Sequence, residues 1–82
     1  MTSTAFAITA DDVESVLHDH TRRIINSRGL SIDALAAEVF GEIDEARVEK
    51  AALNTSTNFD EQVSGAYSEI KDILVEIGVL EF

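Results

Sequence analysis

Residues 58–79 read NFDEQVSGAYSEIKDILVEIGV, and the fold is decided here. Phe59, Val63, Ala66, Tyr67, Ile70, Leu74 and Ile77 recur three or four positions apart, the spacing that sets one apolar stripe along an amphipathic helix. The spacing predicts a helix over 59–77. Its start can be capped by Thr57 with Asp60 or by Asn58 with Glu61. Its end is marked by Gly78, suited to a left-handed residue, followed by Val79 placed to touch Leu74, the pattern of a Schellman turn.

Working back toward the N-terminus, Asn54-Thr55-Ser56-Thr57 is polar and reads as a loop. Asp44 can cap a helix over 45–53, with Ile43 stapled to Val48 and with Val48, Ala51 and Ala52 on one side. Ser31 can cap a helix over 32–42, with Leu30 stapled to Leu35 and a buried face of Ile32, Leu35, Ala36, Val39 and Phe40. Gly41 separates these two helices. Thr9 followed by Asp12 resembles a capping box and opens a helix over 10–28. Val13, Val16, Leu17, Ile24 and Ile25 form its apolar set. Arg22, Arg23 and Arg28 then complement the dipole at its end, and Gly29 closes it. Residues 1–9 form an extended segment. Ala5-Phe6-Ala7-Ile8 and Val79-Leu80-Glu81-Phe82 are short and apolar, suited to packing on the core or to pairing as two strands. The expected fold is all-α, one domain over 1–82, a compact bundle of about four helices with short extended ends.

Composition limits function more than it selects one. Sixteen Asp and Glu against six Lys and Arg give a net charge of −10. Such a surface repels nucleic-acid phosphates and anionic lipid headgroups, and favours basic partners. There is no cysteine, hence no disulfide or thiolate metal site, which fits a reducing cytosol. No apolar run reaches the roughly 20 residues of a membrane span, and the N-terminus lacks the basic region of a secretory signal. The setting these features suggest is the cytoplasm of a bacterial host cell.

Catalytic and metal motifs fail on inspection. His18 and His20 lie two apart on the expected helix, pointing to different sides, so they cannot chelate one ion. His18 sits between Glu14 and Arg22 in a solvated charge ladder, and His20 lies at the core edge. Residues 54–65 are oxygen-rich but lack the glycine and glutamate that a calcium loop needs at its sixth and twelfth positions. No nucleophile elbow or phosphate loop is present. The expectation is a chain that is not an enzyme and carries neither cofactor nor metal.

Two acidic stripes remain. Glu61, Glu69, Asp72 and Glu76 fall opposite the apolar face of the last helix. Glu38, Glu42, Glu45 and Glu49 line up if the two middle helices are nearly continuous. Rows of carboxylates at helical pitch can imitate phosphates or dock on an Arg/Lys-rich protein, or they can simply be solvated helix faces. The apolar faces are also broad: Ile24 with Ile25, and Ile73 with Leu74 and Val75, extend past a single stripe, as a homodimer seam would.

Three comparisons bear on the choice. An acidic four-helix chain of this length resembles acyl carrier proteins, whose modified serine opens the second helix in an Asp-Ser-Leu motif. Gly29-Leu30-Ser31-Ile32-Asp33 places Ser31 at a helix start but substitutes Leu30 and Ile32 for the flanking residues, and the resemblance implies a carrier modified at Ser31. In size, charge and absence of cysteine or catalytic motif, the chain looks like the small acidic accessory proteins of bacteriophages, anti-CRISPR proteins among them. That resemblance implies a stoichiometric inhibitor blocking a basic surface of a host complex. The two helices within residues 31–53 could form a helix-turn-helix, but Asp44, Glu45 and Glu49 outweigh Arg47 and Lys50 there and disfavour phosphate. The leading expectation is a non-catalytic protein-binding module, a phage or mobile-element inhibitor. Its acidic faces engage a basic host protein or nucleic-acid-handling complex, with no direct contact to nucleic acid or membrane. An acyl-carrier-like protein and a homodimeric interaction protein are the alternatives.

Overall fold

A computed structural model describes residues 7–55 and 58–82. Four α-helices follow one another: α1 Ala10–Asp19, α2 Ile32–Phe40, α3 Glu45–Thr55 and α4 Phe59–Glu76, with a 3₁₀ turn at Thr21–Arg23 after α1. The chain is a small all-α bundle. Helices α1 and α2 pack as one pair and α3 and α4 as another, and α1 lies against α4 to join them. One core runs through both pairs: Val13, Val16 and Leu17 of α1, Leu35, Ala36 and Val39 of α2, Val48 and Ala52 of α3, and Ala66, Ile70, Ile73 and Leu74 of α4. Ile8, Ile43, Val79 and Leu80 complete it from the connecting segments. No charged or polar residue is buried among the described residues, so all sixteen carboxylates keep contact with water.

Both ends of α4 follow from its sequence. The Asn58 side chain accepts from the amides of Asp60 at 2.8 Å and Glu61 at 3.3 Å, satisfying donors that the first turn leaves open. At the far end Gly78 takes φ +85°. The Val79 amide reaches Leu74 O at 2.9 Å and the Gly78 amide reaches Val75 O at 3.1 Å, the two bonds of a Schellman turn. Phe59 departs from its expected place in the apolar face: it is 66% exposed, because the stripe meets the core only from Ala66 onward.

The first helix is shorter than its periodicity predicts. It ends at Asp19 rather than near residue 28, and Arg22, Arg23 and Arg28 therefore lie outside its last turn. The cause is a non-local pairing. Ile24 is extended (φ −74°, ψ 116°) and forms an antiparallel bridge with Leu80. The Ile25 amide donates to Val79 O and the Glu81 amide to Arg23 O, each at 2.9 Å. Thr21, Ile24 and Ile25 are β-branched and yield readily to extended backbone. The segment after α4 thereby satisfies its backbone groups while placing Leu80 in the core. Residues 79–81 thus pair with residues 23–25; of the other apolar end, Ala5-Phe6-Ala7-Ile8, Ala5 and Phe6 lie outside the described residues.

Gly29 does not end a helix. With Arg28 it forms the centre of a tight turn closed by Leu30 N–H to Ser27 O at 2.9 Å. Both central residues have positive φ, +57° at Arg28 and +73° at Gly29, the signature of a type I′ turn. Asn26 Oδ1 accepts from the Arg28 amide at 3.0 Å and holds it there. Helix α2 ends at Phe40, two residues before the expected boundary, and α3 continues to Thr55 rather than stopping at Leu53. Thr55 therefore belongs to a helix rather than the expected loop; its hydroxyl donates to Ala51 O at 2.8 Å. Gly65 of α4 sits against Thr55, and a Cβ there would lie 2.2 Å from Thr55 Oγ1. That contact fixes how closely α3 and α4 approach.

Candidate interaction surface

The eight carboxylates picked out by helical spacing divide into two groups. Four are held by two arginines. Arg28 Nη1 donates to Glu38 Oε2 at 2.9 Å and to Glu42 Oε2 at 2.5 Å, while its Nη2 donates to Glu42 Oε1 at 3.0 Å. The left-handed turn at Arg28 delivers the guanidinium to the C-terminal end of α2, where its charge also suits the helix dipole. The second fork joins α3 to α4. Arg47 donates through Nε to Glu69 Oε2. Its Nη1 and Nη2 reach Glu76 Oε1 at 2.8 Å and Oε2 at 2.6 Å. Glu69 and Glu76 are seven residues apart, two turns along one face, and one planar guanidinium spans them.

These forks shift the titration of their members. Hydrogen bonds from Arg28 hold the Glu42 carboxyl below its ordinary range, and those from Arg47 do the same to Glu76. Arg28 is raised, chiefly by Glu42 and then Glu38, and Arg47 chiefly by Glu76 and then Glu69. Both forks lie at the surface, so their net worth is modest and salt-dependent.

The other four carboxylates are directed to solvent. Glu45 and Glu49 lie one turn apart on α3 and Glu61 in the first turn of α4, and none of them enters an ion pair among the described residues. Asp72 comes no nearer to a cation than 4.0 Å, from Lys71 Nζ. The expected continuous row Glu38–Glu42–Glu45–Glu49 is broken, because residues 41–44 form a turn between α2 and α3. The row Glu69–Asp72–Glu76 persists on one face of α4, but its outer members are occupied by Arg47. Nothing in the helical spacing of the acidic residues pointed to Arg28 or Arg47, whose partners are 10 to 29 positions away. The local sequence held no hint either: the stretch from His20 to Ile32 that holds Arg28 contains no Asp or Glu, and Arg47 has Lys50 beside it on the same helix.

Other residues singled out by the sequence take plain structural roles. Thr9 N–H donates to Asp12 Oδ2 at 2.8 Å, one half of the expected capping box. The second oxygen of Asp12 accepts from the Tyr67 hydroxyl at 3.0 Å, tying α1 to α4. Burial, followed by that bond, raises the Tyr67 hydroxyl above its usual range. Ser31 stands at the N-cap of α2, but its hydroxyl donates to Asp33 Oδ1 at 2.6 Å rather than accepting from an amide. That bond lowers Asp33. His18 is exposed, with Nε2 3.4 Å from Glu14 Oε2 one turn back.

One grouping went unforeseen. The Phe82 ring meets His20 edge-on at 5.0 Å, with the Arg23 guanidinium 5.1 Å and the Lys71 ammonium 4.9 Å from its centroid. Neither cation belongs to a fork. Among the described residues there is no group of three or more His, Asp or Glu placed to hold a metal ion, and no helix is long and apolar enough to cross a membrane. Comparison of the chain with protein-family models, curated proteins and solved structures finds no match.

Proposed function

We propose that this chain is a non-catalytic protein-binding module whose solvent-directed carboxylates engage a basic surface on another protein, as a small phage or mobile-element inhibitor would. The observation that carries this reading is the division of the acidic residues. Internal forks use four of the sixteen carboxylates to hold two of the six cations; Glu45, Glu49 and Glu61 project from α3 and α4 without an ion pair among the described residues, and Asp72 has only the loose contact to Lys71 at 4.0 Å. Carboxylates fixed on rigid helices are pre-organised to meet Lys and Arg, and they steer a basic partner before contact. A basic surface that handles nucleic acid fits this chemistry, because it already accepts closely spaced negative charge.

The test is affinity capture from a bacterial lysate with two baits, the wild-type chain and a Glu45→Lys/Glu49→Lys/Glu61→Lys/Asp72→Lys variant. These four positions leave both arginine forks intact, so the helical circular-dichroism spectrum should match wild type. The expected result is a basic protein retained by the wild type, absent from the variant, and released at about 1 M salt, where the Debye length is near 3 Å. Equal capture by both baits, or retention through the salt wash, would refute the reading.

A further inference from the structure

We propose that the Phe82 end of the molecule is a docking surface for the acidic, aromatic first turn of α4 from a second copy of the chain. Three observations meet there. Arg23 and Lys71 lean on Phe82, Arg22 precedes in the same exposed turn, and neither arginine pairs with a carboxylate among the described residues. Phe82 is 55% exposed, and Ile25 and Val75 are 59% and 38% exposed. Ile25 is held at this end by its bond to Val79, and Val75 lies one turn beyond Lys71 on α4. An aromatic and aliphatic centre rimmed by arginine and lysine is the composition of a protein-binding hot spot. In a chain of net charge −10 it is also a local reversal of sign. Carboxylates adjoin it in the chain at Asp19, next to His20, at Asp72, beside Lys71, and at Glu81, whose amide pairs with Arg23.

The complementary feature lies at the other end of α4. Phe59 is the most exposed large apolar side chain among the described residues, and it is followed directly by Asp60 and Glu61, both exposed. Phe59 and Val75 are separated by about 24 Å along the helix at 1.5 Å per residue, so the two ends cannot meet within one chain. Between copies they match in both respects, aromatic against aromatic and carboxylates against Arg22, Arg23 and Lys71. A symmetric contact of the Phe82 end with itself would oppose these cations to their own images. The contact is therefore head to tail: made twice between two antiparallel copies it closes a symmetric dimer, and made once per copy it gives rings or open chains. It concerns a different partner from the acidic-surface reading above, with which it shares Glu61.

The experiment is sedimentation velocity from micromolar to millimolar concentration at about 0.15 M salt, where a Debye length near 8 Å screens the long-range repulsion between copies. The wild type should show a mass that rises with concentration above that of one chain. A head variant, Arg23→Glu/Lys71→Glu, and a tail variant, Asp60→Lys/Glu61→Lys, should each remain monomeric when alone. An equimolar mixture of the two retains one competent head and one competent tail, on different chains. The charge-reversed faces also suit each other, so recovery is judged against a second tail variant, Phe59→Ser, which removes the aromatic and should also be monomeric. Unchanged helical spectra establish that each variant is folded. A wild type that stays monomeric throughout, or a dimer that survives in both the head and the Phe59→Ser variants, overturns the proposal.

Discussion

Replacing Gly65 by alanine should destabilise the protein even though alanine is the better helix former. In an open helix the exchange gains about 1 kcal/mol. At Gly65 the new methyl would lie 2.2 Å from Thr55 Oγ1, 3.1 Å from Thr55 Cβ and 3.4 Å from Ala51 O. Thr55 would have to leave its rotamer and surrender its bond to Ala51, and α3 and α4 would have to part by a few tenths of an ångström. Overpacking of that kind costs about 1–3 kcal/mol and the lost bond about 1 kcal/mol, so a net loss of about 1–3 kcal/mol remains after the propensity gain. For a domain of this size that lowers Tm by roughly 5–25 °C. Gly41→Ala supplies the internal control. Gly41 already has helical φ and ψ, and an added Cβ would meet Glu38 O at 3.6 Å, an ordinary contact, so alanine should stabilise by about 0.4–1 kcal/mol through the unfolded state. Thermal and urea melts of both variants provide the comparison. Combining Gly65→Ala with Thr55→Ala should recover part of the loss, with a coupling of at least about 0.5 kcal/mol. A Gly65→Ala protein as stable as wild type would refute the close approach of α3 and α4.

Three further outcomes follow from the polar contacts. Glu42 and Glu76 titrate lower in the folded chain than their ordinary value of 4.5, so the stability they contribute is present above that pH and is lost as pH falls through their folded values. Acid unfolding followed by circular dichroism should therefore be less steep below pH 4.5 in an Arg28→Gln/Arg47→Gln variant than in wild type. Tyr67 has the opposite sign. Its folded value lies above the ordinary value of 10.0, so its contribution is complete below that pH and is lost as pH rises through the folded value. Tyr67→Phe should cost about 0.5–1.5 kcal/mol and weaken the alkaline loss of stability. Gly78→Ala forces a side chain to φ +85° and should cost about 1–2 kcal/mol in a urea melt.

What could be read from the sequence was local. The cap at Asn58 and the Schellman turn at Gly78–Val79 each depend on residues within a few positions, and their chemistry is visible in the chain. The end of α1 was not, because Ile24 leaves the helix to pair with Leu80, a partner more than fifty positions away. Helical spacing also gives the face on which a carboxylate lies without telling what stands opposite. Glu69 and Glu76 read as a solvated stripe until α3 places Arg47 over them, and Glu38 and Glu42 until the turn at Arg28 and Gly29 delivers a guanidinium. The exposed ring of Phe82 is similar, since its neighbours come from the 3₁₀ turn and from α4.

The account rests on the separation of fork-held from solvent-directed carboxylates, and the most direct test is the salt dependence of binding to the partner captured from lysate. Affinities would be measured across ionic strength for wild type and two neutralised variants. One carries Glu45→Gln/Glu49→Gln/Glu61→Gln/Asp72→Asn, and the other Glu38→Gln/Glu42→Gln/Glu69→Gln/Glu76→Gln. The account predicts that the first variant loses both affinity and salt dependence while the second keeps most of each, provided its helical spectrum is intact. Equal losses in the two variants, or a greater loss in the second, would contradict it.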